Sequence, residues 1–284
     1  MKRTIPFALV CGLLLGAGCR GADVPQRIIS LSPDLTEMLY GVGAFPRVVA
    51  VSSYDTYPPE TANLPHLGNL QSPSFEKLAG LRPDLVVVTK VQAPFLIDVL
   101  KDLRLRVLTM RNQSIAQIYE SIAMIGQATG TEAAAVRLIA TTRAGLARVT
   151  SMTQGSTKPR VVLIVDRTPG TLRDLYAATD GSYLAELITI AGGRIALPVT
   201  GIGYRKLSKE DLIALDPDVI LDFNQAPNSR FAANYMDAWS EMPELKAVRT
   251  HRVYDVNEDF VPHASQRVVQ TAELFAKRIH PEIK

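Results

Sequence analysis

Ser74-Phe75-Glu76-Lys77-Leu78-Ala79-Gly80-Leu81-Arg82-Pro83-Asp84-Leu85-Val86 is repeated in outline 134 positions later as Ser208-Lys209-Glu210-Asp211-Leu212-Ile213-Ala214-Leu215-Asp216-Pro217-Asp218-Val219-Ile220. The common pattern is S-x-E-x-L-x-x-L-x-P-D-x-[V/I]. Serine is a good helix cap, the leucines share one face of a short helix, and proline ends it. A β-branched run then follows, as in a strand buried on both faces. Two copies of one helix–turn–strand unit predict two similar α/β lobes, with a ligand cleft between them. They also set one glutamate, Glu76 or Glu210, at the same helical position in each lobe.

The rest of the chain fits this frame. Residues 27–31, 48–51, 85–89 and 106–108 read as strands, separated by helices at 33–41, 75–81 and 93–103. That alternation predicts a mainly parallel sheet with helices on its faces. Ser32-Pro33-Asp34 opens the first helix, with Asp34 and Glu37 at capping-box spacing. Residues 54–71 form a long loop rich in Pro, Tyr and Asn, and loops of that length are usually functional. No proline occurs in 114–152; Gly130 interrupts the helical pattern, and 132–152 would span about 30 Å as one connecting helix. A second lobe follows, with strands at 161–165, 219–223 and 253–256, a helix at 183–191 ending at Gly192-Gly193, and a last helix from about 264 to 279. The expected division is a signal at 1–18, a tether at 19–26, an N-terminal lobe at 27–130, a connecting helix at 131–155 and a C-terminal lobe at 156–284.

Lys2 and Arg3, an apolar run and Gly16-Ala17-Gly18 before Cys19 resemble a bacterial lipoprotein signal, with Cys19 as the lipid-bearing residue. The apolar run is too short to span a bilayer, so the chain is expected to be exported and lipid-anchored at the periplasm or cell surface. The mature chain would keep Cys19 alone, which leaves no intrachain disulfide and no cysteine–histidine metal cluster. A hydrophobic content of 47% supports a full core, and a net charge of +3 is too small to imply nucleic acid. His66, His251, His263 and His280 are scattered, without the spacing of a zinc site; His66, beside the long loop, is the candidate for a weak axial contact to a metal macrocycle. Gly41-Val42-Gly43 lacks the third glycine of a dinucleotide loop, and no P-loop or G-x-S-x-G elbow occurs. A non-catalytic role is therefore expected, with a metal-dependent hydrolase on a similar scaffold as the competing class.

Ile29-Ser30-Leu31-Ser32-Pro33, the Tyr54-x-x-Tyr57-Pro58-Pro59-Glu60 loop and the first repeat copy resemble ABC-transporter substrate-binding proteins for vitamin B12, haem and iron–siderophore complexes. The resemblance implies two α/β lobes joined by one long rigid helix, no catalysis, and a monomer serving an ABC permease and its ATPase. The likeness is greatest to cobalamin binders, which implies a ligand held edge-on between the lobes. On that likeness Ser32, Pro33, Tyr54 and Tyr57 face it from the N-terminal lobe, and Tyr176, Tyr204, Asp259 and Phe260 from the C-terminal lobe. Leu70 and Thr89 stand where cobalamin binders carry tryptophan, which keeps haem or a ferric chelate open as the alternative cargo, with Lys90, Arg167 and Arg205 as cations for it. The resemblance further implies that Glu76 and Glu210 dock onto permease arginines; a first-turn carboxylate on the helix dipole, worth roughly 0.3–1 kcal/mol, is the plain structural explanation of the same residues.

Overall fold

The computed structural model describes residues 24–197, 203–223 and 235–283. Cys19 and the signal lie outside the described residues. The elements, in chain order, are β1 (Ile28–Ser30), α1 (Pro33–Gly41), β2 (Val48–Ala50), α2 (Phe75–Gly80), β3 (Leu85–Thr89), α3 (Ala93–Asp102), β4 (Val107–Met110), α4 (Ile115–Thr129) and α5 (Glu132–Met152), followed by β5 (Arg160–Asp166), β6 (Leu175–Ala178), α6 (Tyr183–Ile190), β7 (Arg194–Ile195), β8 (Tyr204–Leu207), α7 (Lys209–Leu215), β9 (Val219–Asp222), α8 (Tyr235–Trp239), α9 (Lys246–Arg249), β10 (Val253–Asp255) and α10 (Val268–Ile279). They build two separate sheets. The first, β2-β1-β3-β4, is wholly parallel; the second runs β10-β9-β5-β6-β8, with β7 beside β5.

The repeated motif does the same work in both sheets. Ser74 Oγ accepts from Lys77 N at the start of α2, and Ser208 Oγ from Asp211 N at the start of α7. Leu78 and Leu212 are fully buried beneath. The aspartate after the proline then sets strand register: Asp84 accepts from the amides of Gln26 (2.6 Å) and Arg27 (2.9 Å), and Asp218 from the amide of Arg160 (2.7 Å). Each aspartate thus pins the strand beside its own, β1 against β3 and β5 against β9. Val86, Val87 and Val88 are buried on both faces of β3, worth roughly 1.5–3 kcal/mol per side chain.

Residues 24–26, expected as a free tether, are fastened: Pro25 is buried, and its carbonyl accepts from Arg47 Nη1 at 2.9 Å. Gly130 caps α4 in the left-handed region (φ 65°), which turns the chain into the 21-residue α5. At Gly145 a Cβ would lie 2.7 Å from Val269, so glycine is what lets α10 approach α5 closely. One apolar core runs through both lobes beneath α5, joining Leu35, Met38 and Ile118 to Leu163, Leu187 and Phe275. The outer face of each sheet has its own smaller core.

Two sequence expectations change here. β6 and β8 lie where the sequence pattern predicts no strand, yet they form an antiparallel ladder on β5, so two of the five pairings in the second sheet are antiparallel. The last helix begins at Val268, because residues 264–267 turn toward the other lobe and are held there by side-chain bonds.

Candidate functional site

A cleft of about 710 Å³ lies between the sheets, at the carboxyl ends of their strands. The carboxyl end of each strand of the first sheet contributes to it: Ser32 and Pro33 beyond β1, Tyr54 and Thr56 beyond β2, Thr89 at the end of β3 with Gln92 beyond it, and Asn112 beyond β4. Phe223 after β9 and Asn257, Asp259, Pro262 and His263 after β10 form the facing wall. Gln92 ties the first wall together: its Nε2 donates to the carbonyls of Leu31 (2.6 Å) and Leu70 (3.0 Å), and its Oε1 accepts from Thr89 N and Thr89 Oγ1. The loops are thereby preset rather than left to order around a ligand.

A second pocket of about 310 Å³ shares Phe223 and Pro262 with the cleft and extends it over β6 and β8. Tyr176 pairs with Lys206 and Ala178 with Tyr204, so Tyr176 and Tyr204 are diagonal neighbours on one face of the ladder, and both line this pocket. Tyr54 stands on the N-terminal wall with 57% of its surface exposed. Three large exposed aromatics around an apolar recess form a broad stacking surface.

The structure places the sequence-picked residues as follows. Ser32, Pro33, Tyr54, Leu70, Thr89 and Asp259 line the cleft, and Tyr176 and Tyr204 line its extension. Tyr57 and Phe260 line neither. Both lie against the Arg267 guanidinium, at 4.3 and 5.2 Å, and Tyr57 also meets Tyr40 edge-on, so they brace the wall from behind. Asp259, at the cleft mouth, pairs with Arg267 at 2.8 Å. Arg167 is not a cleft cation: it is fully buried and held bidentately by Asp222, which also accepts from Trp239 Nε1. Arg205 pairs with Asp211 at the surface. Lys90 remains, in a side recess of about 230 Å³ that shares Val91 and Asn112 with the cleft. His66 is occupied on both ring nitrogens by the carbonyls of Ser52 (2.9 Å) and Thr61 (3.3 Å), which removes it as an axial contact. Glu76 and Glu210 are both exposed, in the first turns of α2 and α7.

The sequence reading missed the link between the walls. Glu37 does not form a capping box with Asp34; Ser32 Oγ instead donates to Asp34 Oδ1 at 2.5 Å. Glu37 crosses to the C-terminal lobe, fully buried, where it accepts from His263 Nδ1 (2.8 Å), Arg267 Nη1 (2.9 Å) and the Ser265 hydroxyl. Gln266 Nε2 adds a bond to the Glu37 carbonyl at 2.7 Å, and Ile115 N donates to Glu186 across the same divide. Burial alone would lower the His263 pKa, but the hydrogen bond and charge of Glu37, with help from Asp34, carry it above the ordinary value. Asp34, beside it and also buried, is pushed up by desolvation against the opposing bonds from Ser32 and Asn112. The local sequence carries no signal for it: Asp34, Thr36 and the exposed Tyr40 stand beside Glu37 in the same short helix.

A model of the periplasmic binding protein family matches residues 28–260. The chain belongs to that family. This binding protein is 30% identical over 265 residues to YvrC of Bacillus subtilis (strain 168), an uncharacterized ABC transporter substrate-binding lipoprotein, covering 91% of this chain and 81% of the relative. It is 25% identical over 248 residues to a vitamin B12-binding protein of Salmonella typhimurium, 87% of each chain. A periplasmic heme binding protein from Pseudomonas aeruginosa superposes with a TM-score of 0.80 at 21% identity, over 92% of this chain and 95% of that one. The vitamin B12 binding protein BtuF of Vibrio cholerae does so with a TM-score of 0.76 at 22% identity, over 90% and 96%. These two likenesses establish the fold. The binding protein is of the ABC-transporter substrate-binding kind. No helix among the described residues is long and apolar enough to cross a membrane, and none of their His, Cys, Asp and Glu side chains cluster in threes to hold an ion.

Proposed function

We propose that this protein captures a corrinoid, cobalamin foremost, in the interlobe cleft and delivers it without chemical change to an ABC permease whose ATPase is a separate chain. The observation that carries the reading is the character of the cleft. It is wide and walled by Tyr54 on one side and the Tyr176–Tyr204 surface on the other, and no Lys or Arg lies among the described residues of these walls; Lys90 and Arg111 sit in the side recess next to them. Haem propionates and the anionic oxygens of ferric siderophores call for cations at the cleft wall. A corrinoid presents amide arms that both donate and accept, and these suit Gln71, Asn112, Asn257 and Asp259.

Docking on the permease is assigned to Glu76 and Glu210, exposed at matching helix starts, one per lobe. Cys19 is assigned the lipid anchor, and the chain acts as a monomer. The fully buried Glu37 and the core shared by both lobes support small lobe movements rather than wide closure.

Titration of the purified protein with cyanocobalamin, haemin and a ferric siderophore, followed by visible absorbance and calorimetry, tests the reading. Cyanocobalamin should bind one to one and most tightly. Tyr54→Ala and Tyr204→Ala should each weaken it by roughly tenfold, about 1.4 kcal/mol. Binding of haemin or the siderophore without cyanocobalamin would overturn it.

A further inference from the structure

β3 and β4 end together beside the cleft. Thr89 pairs with Met110 in the last step of their parallel ladder, and Lys90 N donates to the Met110 carbonyl at 2.7 Å. The next residue on each strand, Lys90 and Arg111, is a cation, and neighbouring strands lie only about 4.8 Å apart. Both residues line the recess of about 230 Å³ that shares Val91 and Asn112 with the cleft. Side-chain bonds set its shape: Ser121 Oγ donates to the Arg111 carbonyl at 2.6 Å, and Asn112 Nδ2 to Asp34 Oδ2 at 2.7 Å. Arg111 pairs with the exposed Glu120 through Nη2 at 2.7 Å; a guanidinium has five donors, so it can hold a second anion beside this one. Lys90 is exposed, and its ammonium has no carboxylate partner among the described residues. One of the two charges is thus neutralised, and about one positive charge is left facing the recess.

We propose that this recess takes the phosphodiester on the nucleotide arm of a complete corrinoid, with Lys90 as the residue that selects for it. This rests on the corrinoid reading above. The phosphodiester is the one anionic group on the periphery of cobalamin, and a side arm carries it rather than the ring. The charge of the protein is laid out in the same way. The walls on either side of the ring hold no Lys or Arg among their described residues, and the single excess charge lies to one side of them. The two short propionates of a haem would instead call for two free cations at the edge of the ring. An exposed charge pair is modest in strength and screened by salt, so the recess contributes discrimination between corrinoids more than overall affinity.

The test compares cyanocobalamin with dicyanocobinamide, which keeps the corrin ring and its amide arms but lacks the nucleotide and its phosphate. Calorimetry on the full protein measures both. Lys90→Met should weaken cyanocobalamin by roughly fivefold and leave dicyanocobinamide within about twofold. Lys90→Arg, which keeps the charge, should bind cyanocobalamin nearly as the wild type does. Added salt should weaken wild-type binding of cyanocobalamin toward that of Lys90→Met. Equal weakening of both corrinoids by Lys90→Met, or a loss for cyanocobalamin under about twofold, overturns the assignment and leaves the corrinoid reading standing. So does wild-type binding of dicyanocobinamide alone. If neither corrinoid binds the wild type, both readings fail.

Discussion

Removing the Glu37 carboxylate should loosen the two lobes at a cost that can be worked from its partners. Glu37 is fully buried and receives three side-chain donors from the C-terminal lobe, His263, Ser265 and Arg267. Breaking a buried charged network by deleting one member costs about 3–5 kcal/mol, mostly because the other members stay buried without partners. Here the lower end applies. Arg267 keeps Asp259 at 2.8 Å and its stacking on Tyr57, and the bond from Gln266 goes to the Glu37 backbone, which truncation leaves in place. Glu37→Ala should therefore cost about 3 kcal/mol, or a fall of about 6–12 °C in Tm for a chain of this size. Glu37→Gln preserves shape and an acceptor and should cost about half as much. Urea denaturation followed by Trp239 emission and by circular dichroism measures this; Trp239 reports on the second lobe, where it is buried against Asp222. A cycle with Arg267→Met should give a coupling of about 1–3 kcal/mol between the lobes. A Glu37→Ala loss under about 0.5 kcal/mol, or additive single mutants, would refute the claim that this contact holds the walls of the cleft.

Two further outcomes follow, one from a single buried residue and one from a matched pair of exposed ones. Asp55 sits buried in the loop beside Tyr54; its Oδ2 accepts from Ser52 N and Oγ, its Oδ1 has no partner, and burial pushes its pKa to about 6. A folded pKa above the unfolded value of 3.8 means that ionisation penalises the fold, a penalty absent below about pH 4 and complete above about pH 7. Asp55→Asn should thus stabilise the protein by up to about 3 kcal/mol at pH 8 and by nothing near pH 4, read as urea midpoints at both values; a difference that ignores pH would contradict it. Reversing both exposed carboxylates, Glu76→Lys with Glu210→Lys, should cut transport by a reconstituted permease about tenfold or more and leave corrinoid affinity within twofold. Collapse of affinity instead would place them in ligand binding or folding.

Sequence by itself determined what depends on neighbours along the chain. The capping serines, the leucine stripes, the helix-ending prolines and the β-branched runs of the two repeats act within a dozen residues, and with them the two α/β lobes and the α5 connector were legible. So was the loop that carries Tyr54, because proline and tyrosine crowd a stretch too long to be a mere turn. Tertiary structure decided what depends on partners far away. β6 and β8 are four-residue strands held by each other and by β5, and only their ladder puts Tyr176 and Tyr204 on one face. Arg167 read as a free cation until Asp222, 55 positions on, was seen to neutralise it. Glu37 and His263 lie 226 positions apart, and no local pattern marks a carboxylate whose hydrogen bonds are all made by the other lobe. Burial supplies the physical reason: a charged group removed from water must find its partners wherever the packed chain brings them, and linear order does not record that place.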